Sequence, residues 1–339
     1  MTQHPTRPLR LIVAAAGSLG LLALTACGTA VAPAGDAASA GDALTIENCG
    51  ATVTIPDVPT AAVGLHPSQT ELLLRLGLAD SLVGQAQATV EELPDDVAGL
   101  AADVPVIGGA TPPSREDLLA VHPDFVYAPT TYEFTAEQGF ASIEQLSEAG
   151  VAAYTATGGC FDRRMSGTVD DLFVDLENLG EIFHVQDEAD QLIADSKAQL
   201  ESVHAAIEGL EKPRVAQIYV DGTTLSGIGA GVEYDILRHA GADTVFTPED
   251  PAFADFFAAE ITPESLAAEA PDALVFAVTD AEHEKATRAY LAATFPDMPA
   301  VRDDRLIAVS SSDMFPGTLG NVSVVRRIAE GLYPDATFE

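Results

Sequence analysis

The sequence predicts an α/β protein made of two similar lobes joined by one long helical segment. Short apolar runs typical of buried strands alternate with helical patterns along most of the chain, which favours parallel sheets. A long helical pattern covers 168–210, near the middle of the chain. The stretches on either side of it, 114–127 and 263–276, carry Glu, Leu, Ala, Pro and Asp at equal offsets, as two copies of one unit would.

The first 27 residues predict a targeting segment. Arg7 and Arg10 give it a basic start, and the apolar stretch 11–23 is too short to span a bilayer comfortably. It ends in Leu24-Thr25-Ala26-Cys27, which resembles the lipobox of bacterial lipoproteins. That resemblance implies a lipid on Cys27 and cleavage just before it, and an ordinary secretory signal is the alternative.

A flexible tether is predicted at 28–43, which is rich in Gly, Ala, Ser and Pro and has no apolar periodicity. The N-terminal lobe is placed at 44–167. The alternation at 51–55 predicts an edge hairpin or strand, and the further predicted strands are 61–65, 82–84, 104–108, 125–128 and 151–154. Its predicted helices are 69–76, a short one at Glu116, and 143–149.

The helical segment at 168–210 has apolar residues at spacings of three and four, or their sums, which is typical of one buried face. Residues 184–187 can break it in two and leave a final helix of roughly 33 Å. The C-terminal lobe is placed at 211–339. Its predicted strands are 215–220, 244–246, 273–278 and 306–309, and its helices are 233–240, one at Glu264, and 322–331.

Charge limits the classes of partner. The net charge of −36 repels phosphate backbones, which argues against nucleic-acid binding. A solvated surface tuned for solubility explains the acidity, and attraction of a cationic partner is the alternative.

Two cysteines remain after Cys27, namely Cys49 and Cys160. An even remainder in an exported chain favours a disulfide. It would close a loop of about 110 residues, which the chain-entropy model values at roughly 4–5 kcal/mol as an upper figure. Two separate buried thiols are the alternative.

A family likeness lies in Thr70-Glu71-Leu72-Leu73-Leu74, in Gly77-Leu78-Ala79-Asp80 and in Leu82-Val83-Gly84. These runs resemble the opening motif of the iron-siderophore and cobalamin substrate-binding proteins of ABC importers, and 116–124 matches that family's Glu-to-Pro-Asp segment. The likeness covers 45–333. It implies two Rossmann-like lobes joined by a rigid backbone helix, with the ligand in the cleft between them and closure through small angles only.

In that family an exposed Glu on each lobe meets arginines on the permease, and the matching positions here are Glu116 and Glu264. Two carboxylates a lobe apart, each accepting a forked guanidinium, would fix the orientation on a transporter. The alternative is that each Glu only stabilises the N-terminus of its helix.

Ligand sites in doubly wound lobes lie at the carboxyl ends of strands. The loops there supply the candidates His66, Tyr132, Phe134, Phe161, Arg163, Arg164, Phe253, Phe256, Asp313 and Phe315. The two arginines could hold carboxylates or catecholates of a ferric chelate, or pair with acids of the chain. The aromatic residues could form an apolar wall, or belong to the core or to unrelated surface. The absence of Trp weakens the case for cobalamin or haem.

Other chemistries find little support. The run Gly227-Ile228-Gly229-Ala230-Gly231 lacks the third glycine of a dinucleotide loop and predicts a turn and helix cap. The histidines have no metal-binding spacing, and no nucleophile elbow is present. We therefore expect no cofactor and no catalysis, with a secreted α/β hydrolase as the rival class. The prediction is a monomeric protein, lipid-anchored at the outer face of the cell membrane, that binds a ferric siderophore or similar iron chelate for an ABC importer. The alternative ligand is cobalamin, haem or another large cofactor.

Overall fold

A computed structural model describes residues 43–338. The targeting segment, Cys27 and all but the last residue of the tether lie outside this range. Within residues 43–338, no helix is both long enough and apolar enough to cross a membrane.

The N-terminal lobe is built on a parallel sheet of four strands. An antiparallel hairpin, β1 (Leu44–Asn48) and β2 (Ala51–Ile55), precedes it. The sheet has the order β4-β3-β5-β6, and its strands are β3 (Ala62–Gly64), β4 (Leu82–Gln85), β5 (Phe125–Ala128) and β6 (Ala152–Thr155). The helices are α1 (Pro67–Arg75), α2 (Asp95–Ala98), α3 (Arg115–Ala120) and α4 (Ile143–Glu148).

The strand predicted at 104–108 is not formed. This stretch makes a single parallel bridge between Gln85 and Val106. Pro105 has no backbone N–H to donate, and Gly108 follows after three residues, so the ladder does not extend.

The central helical segment consists of two helices. Helix α5 (Asp171–Phe183) ends at His184, whose φ of 57° lies in the left-handed region. Helix α6 (Gln186–Ile207) follows, and its 22 residues span about 33 Å. The break predicted at 184–187 is therefore confirmed. Through α5 and α6 the chain passes from the first lobe to the second.

The C-terminal lobe is built on a mixed sheet of six strands. Strands β7 (Arg214–Asp221), β9 (Asp243–Thr244), β11 (Ala273–Val278) and β12 (Leu306–Ser310) run parallel. Strands β8 (Thr224–Ile228) and β10 (Ala258–Glu260) run antiparallel at one edge, where a turn at Gly222 (φ 59°) leads from β7 straight into β8. The helices are α7 (Gly231–His239), α8 (Pro263–Glu269), α9 (Ala281–Thr294), α10 (Pro299–Arg302) and α11 (Gly320–Leu332). The expected parallel sheet is formed by β7, β9, β11 and β12, and the antiparallel strands β8 and β10 were not predicted.

One apolar core is continuous through both lobes and the helices between them. Its members include Leu72 of α1, Leu176 of α5, Leu200 of α6 and Ile328 of α11. Pulling the lobes apart would expose this apolar surface to water, which costs about 25 cal/mol of free energy for each Å² exposed. Two smaller apolar clusters each lie within a single lobe.

A disulfide joins Cys49 to Cys160, whose Cα atoms are 5.0 Å apart. The bridge links residues 111 positions apart. Beside it, the Asn48 side chain donates to the carbonyl of Thr155 at 2.7 Å and accepts from its N–H at 2.9 Å. The hairpin β1–β2 is thereby fixed to the end of β6.

Candidate functional site

A cavity of about 390 Å³ lies between the lobes. Strands β7, β8 and β11 supply one side of its wall, at the edge where β8 meets β7. The loop after β12 contributes a second side, and the first lobe contributes Val90 and the loop that carries Arg164. Its apolar lining includes Val90, Ile218, Ile228, Phe257, Met314 and Phe315.

An arginine and a glutamate face each other in this wall. The Nη2 atom of Arg164 lies 2.8 Å from Oε1 of Glu233, and Nη1 lies 3.2 Å from Oε2. Their side chains are only 17% and 9% exposed. The guanidinium also lies over the ring of Phe257, 3.7 Å from its centroid. Paired hydrogen bonds and a cation–π contact together hold the guanidinium in place.

The remaining polar lining is uncharged. Gln217 is 3% exposed, and its Oε1 has no hydrogen-bond partner among residues 43–338. Burial, with a smaller contribution from Asp221, raises the pKa of Tyr219, so its phenol stays neutral at neutral pH. Ser226, Thr279 and Ser311 complete this group. The cavity therefore offers hydrogen-bonding groups without net charge.

The loop after β12 is held by the first lobe. The Gln69 amide donates to the carbonyls of Pro316 and Gly317 at 3.2 and 3.3 Å. Tyr127 donates to the Gly317 carbonyl at 3.1 Å, and Ser310 donates to Glu91. Gly317 has a φ of 68°, and a Cβ there would lie 2.6 Å from the Tyr127 hydroxyl. This contact places Met314 and Phe315 against the cavity.

A buried carboxylate lies behind this loop. Asp175 of α5 accepts at Oδ1 from Tyr154 at 2.8 Å, and from the backbone and hydroxyl of Thr157 at 2.8 and 2.6 Å. Its Oδ2 has no partner among the described residues. Burial raises the pKa of Asp175 to about 7. Asp175 is not among the residues predicted from the sequence.

Acids also gather at the lobe boundary. Burial, then the nearby Glu91 and Glu71, raises the pKa of Asp313 to about 6, and Arg327 partly opposes the shift. Asp313 lies beside the cavity rather than in its wall. Among residues 43–338, no group of three or more His, Cys, Asp or Glu side chains is arranged to hold a metal ion.

Two of the ten predicted ligand residues, Arg164 and Phe315, line the cavity. His66 is buried directly behind Phe315, with their ring centroids 4.8 Å apart, and burial lowers its pKa to about 4. Phe256 is exposed and contacts Phe257, with centroids 4.4 Å apart. Its neighbour Phe257, which was not among the predicted residues, is the one in the wall.

The other predicted residues lie elsewhere. Phe134 and Phe253 are buried in the apolar packing of their own lobes, so their assignment to a ligand cleft is corrected to the core. Tyr132 and Phe161 are exposed outside the lining, and Arg163 binds Asp171. The sequence-based prediction missed the part of the cavity wall formed by β7. The available signal for it was the polar Gln217 inside an otherwise apolar strand.

Glu116 and Glu264 occupy equivalent places in the two lobes. Each is exposed and is the second residue of a short helix, α3 or α8. Each of these helices is capped by a hydroxyl, from Ser114 or Thr262, that accepts a backbone N–H. The carboxylates therefore point outward from matched local structures.

The chain is similar to known proteins along most of its length. A family model described as periplasmic binding protein matches residues 63–312. A curated relative is the uncharacterized ABC transporter substrate-binding lipoprotein YvrC of Bacillus subtilis. It is 24% identical over 290 residues, which cover 84% of this chain and 83% of the relative.

Two solved structures have a similar fold. A periplasmic binding protein from Veillonella parvula superposes with a TM-score of 0.76 at 23% identity, over 87% of this chain and 99% of that one. An ABC-type Fe3+-hydroxamate transport system protein from Saccharomonospora viridis superposes with a TM-score of 0.69 at 25% identity, over 85% of this chain and 98% of that one. Both similarities extend through the two lobes and the helices between them.

Proposed function

This chain belongs to the periplasmic binding protein family, whose members bind solutes and are not enzymes, and on that premise we propose that it captures a ferric siderophore or similar iron chelate and delivers it to an ABC importer. The observation that carries the proposal is the cavity of about 390 Å³ between the lobes. Its size is within the range of small-molecule sites, which are mostly apolar with a few placed polar groups.

The walls suit a compact chelate. Phe257, Phe315 and Met314 present apolar surface, while Gln217 and Tyr219 offer hydrogen bonds. A relative of the same fold is named for ferric hydroxamate transport, and a curated relative is named as a substrate-binding lipoprotein. These names support the substrate class and the transport role proposed for this chain.

Anchoring and delivery complete the proposal. A lipid on Cys27 and a tether at 28–43 would keep the protein at the outer face of the cell membrane, close to its importer. Glu116 and Glu264, one on each lobe, would bind arginines of the permease. Their exposure and equivalent positions support this role.

A thermal-shift panel tests the ligand class. Purified protein would be heated with a ferric tris-hydroxamate, a ferric tris-catecholate, ferric citrate, haem or cobalamin. A solute that binds only the folded state raises the melting temperature as its concentration passes the dissociation constant. A rise with at least one ferric chelate is expected. A rise with cobalamin or haem alone would contradict the iron-chelate assignment.

A further inference from the structure

The charges in the cavity wall cancel. Its lining contains one base, Arg164, and one acid, Glu233, and these two bind each other through paired hydrogen bonds. The sequence-based idea that Arg164 would hold an anionic chelate requires a free guanidinium. In the folded protein, that guanidinium is already neutralised.

Releasing Arg164 from this position would be costly. Both side chains are largely buried, and the Phe257 ring covers one face of the guanidinium. Removing one partner of a buried pair leaves an uncompensated charge, which is strongly unfavourable. If Arg164 moved away, Glu233 would remain in the wall and would repel an anion that bound where the guanidinium had been.

The surroundings add negative rather than positive potential. Glu91 accepts a hydrogen bond from Ser310, next to the lining residue Ser311. Asp221 contributes to the raised pKa of Tyr219, so its negative charge acts on the cavity wall. The other loop arginine, Arg163, is bound to Asp171.

We propose that the cavity selects uncharged iron chelates over anionic ones, and that Glu233 is the residue that sets this selection by neutralising Arg164. The inference rests on the proposed iron-chelate function and names its substrate class. Three hydroxamates cancel the charge of ferric iron, whereas three catecholates leave the complex triply negative. A tris-hydroxamate is therefore the class that fits.

The neutral polar groups support the same class. The unpartnered Oε1 of Gln217 can accept a hydrogen bond from an amide N–H of a ligand. The neutral phenol of Tyr219 can donate to a hydroxamate or amide oxygen. Both contacts are available to an amide-rich ligand without net charge, and neither side chain carries a positive charge that would balance a triply negative complex.

Calorimetry with the full-length protein tests the inference. The probes are gallium complexes of a tris-hydroxamate and of a tris-catecholate chelator of similar size, because gallium carries the charge of ferric iron and is not reduced during the titration. Wild type should bind the uncharged complex at least about tenfold more tightly, given the repulsion expected between like charges at partly buried distances. In Glu233→Gln the unpaired Arg164 should lower this preference by about tenfold or more.

A matched control uses the same substitution elsewhere. Glu269→Gln also removes the carboxylate partner of an arginine, Arg214, but both side chains are close to half exposed and lie outside the cavity. This variant should leave the preference unchanged. If Glu233→Gln fails to fold, the preference of wild type for the uncharged complex still tests the charge selection.

The outcomes separate the two levels of the proposal. Wild-type binding of the tris-catecholate as tightly as the tris-hydroxamate would overturn the charge selection while leaving the iron-chelate function standing. A folded Glu233→Gln with an unchanged preference would overturn the role of Glu233. Binding of neither complex, together with silence across the ferric panel, would overturn the proposed function and this inference with it.

Discussion

Tyr127 of strand β5 donates a hydrogen bond to the backbone carbonyl of Gly317, 3.1 Å away in the other lobe. Gln69 donates to the same carbonyl at 3.3 Å. Gly317 belongs to the loop that carries Met314 and Phe315 into the cavity wall. The first lobe therefore positions part of the binding surface of the second.

Gly317→Ala should disturb this contact. Its φ of 68° is strained for any other residue, and the new Cβ would lie 2.6 Å from the Tyr127 hydroxyl and 2.9 Å from Oδ2 of Asp175. We expect a loss of at least about 2 kcal/mol in the free energy of unfolding, measured by urea denaturation. Gly209→Ala is the control, because its φ is 74° and nothing lies within 4 Å of the added Cβ. It should cost only about 1 kcal/mol, for the left-handed backbone alone, and equal losses in the two variants would contradict the close packing at Gly317.

Phe257→Ala should weaken ligand binding. The substitution removes an aromatic wall and the ring beneath Arg164. Because such a contact is lost, we expect the affinity for the ferric tris-hydroxamate, measured by calorimetry, to be about tenfold to a hundredfold weaker. Its neighbour Phe256 is 55% exposed and outside the lining, so Phe256→Ala should change affinity by about twofold at most. The reverse order of effects would place the site elsewhere.

Asp175 should make stability depend on pH. Its pKa rises from 3.8 to about 7 on folding because it is buried. Between these values the folded state holds more protons than the unfolded state, so this group lowers stability as pH rises from about 4 to about 7, by about 1.4 kcal/mol per pKa unit. Above about pH 7 its contribution is constant.

The variant Asp175→Asn isolates that contribution. His66, whose pKa is lowered to about 4, acts in the opposite direction by removing stability as pH falls below 6.5. It is present in both proteins, so the difference between wild type and Asp175→Asn in urea denaturation reports Asp175 alone. The free energy of unfolding of Asp175→Asn, measured relative to wild type, should increase as pH rises to about 7 and should then stay constant. The exposed Asp190→Asn is the control, and parallel pH profiles for wild type and Asp175→Asn would refute the buried titration.

Reversing the two exposed acids should block delivery without affecting capture. Glu116→Arg combined with Glu264→Arg would place like charges against the arginines proposed on the permease, which costs several kcal/mol at an interface. Uptake of radioactive ferric chelate should be abolished in cells that rely on this protein, with chelate affinity unchanged. Glu148→Arg with Glu201→Arg, two exposed acids elsewhere, makes the same change in net charge. Normal uptake by the first double variant would refute the docking assignment.

The sequence was sufficient to predict most of the fold, because periodicity and the repeated Glu, Leu, Ala, Pro and Asp offsets are local signals. Strand β10 was missed because it has only three residues, and its partner β8 was missed because Ser226 and Gly227 interrupt its apolar pattern. The site was harder to predict. Arg164 and Glu233 are 69 residues apart, and only the packing of the loop after β6 against α7 brings them together.

The same limit applies to the cavity wall. Arg164 and Phe315 follow strands, where sites of this fold class are expected. Gln217 and Tyr219 lie within β7, in a run that periodicity identifies only as a buried strand. The part of β7 that borders the cavity is determined by the neighbouring strands β8 and β10, and these two strands were not predicted.

The most direct test of the central claim is equilibrium dialysis of the purified protein against radioactive ferric tris-hydroxamate, with wild type and Phe257→Ala side by side. We expect saturable binding of one complex per chain in wild type, and weaker binding in the variant because its cavity wall is incomplete. Absence of saturable binding in wild type, or equal binding in the two proteins, would contradict capture of an iron chelate in this cavity.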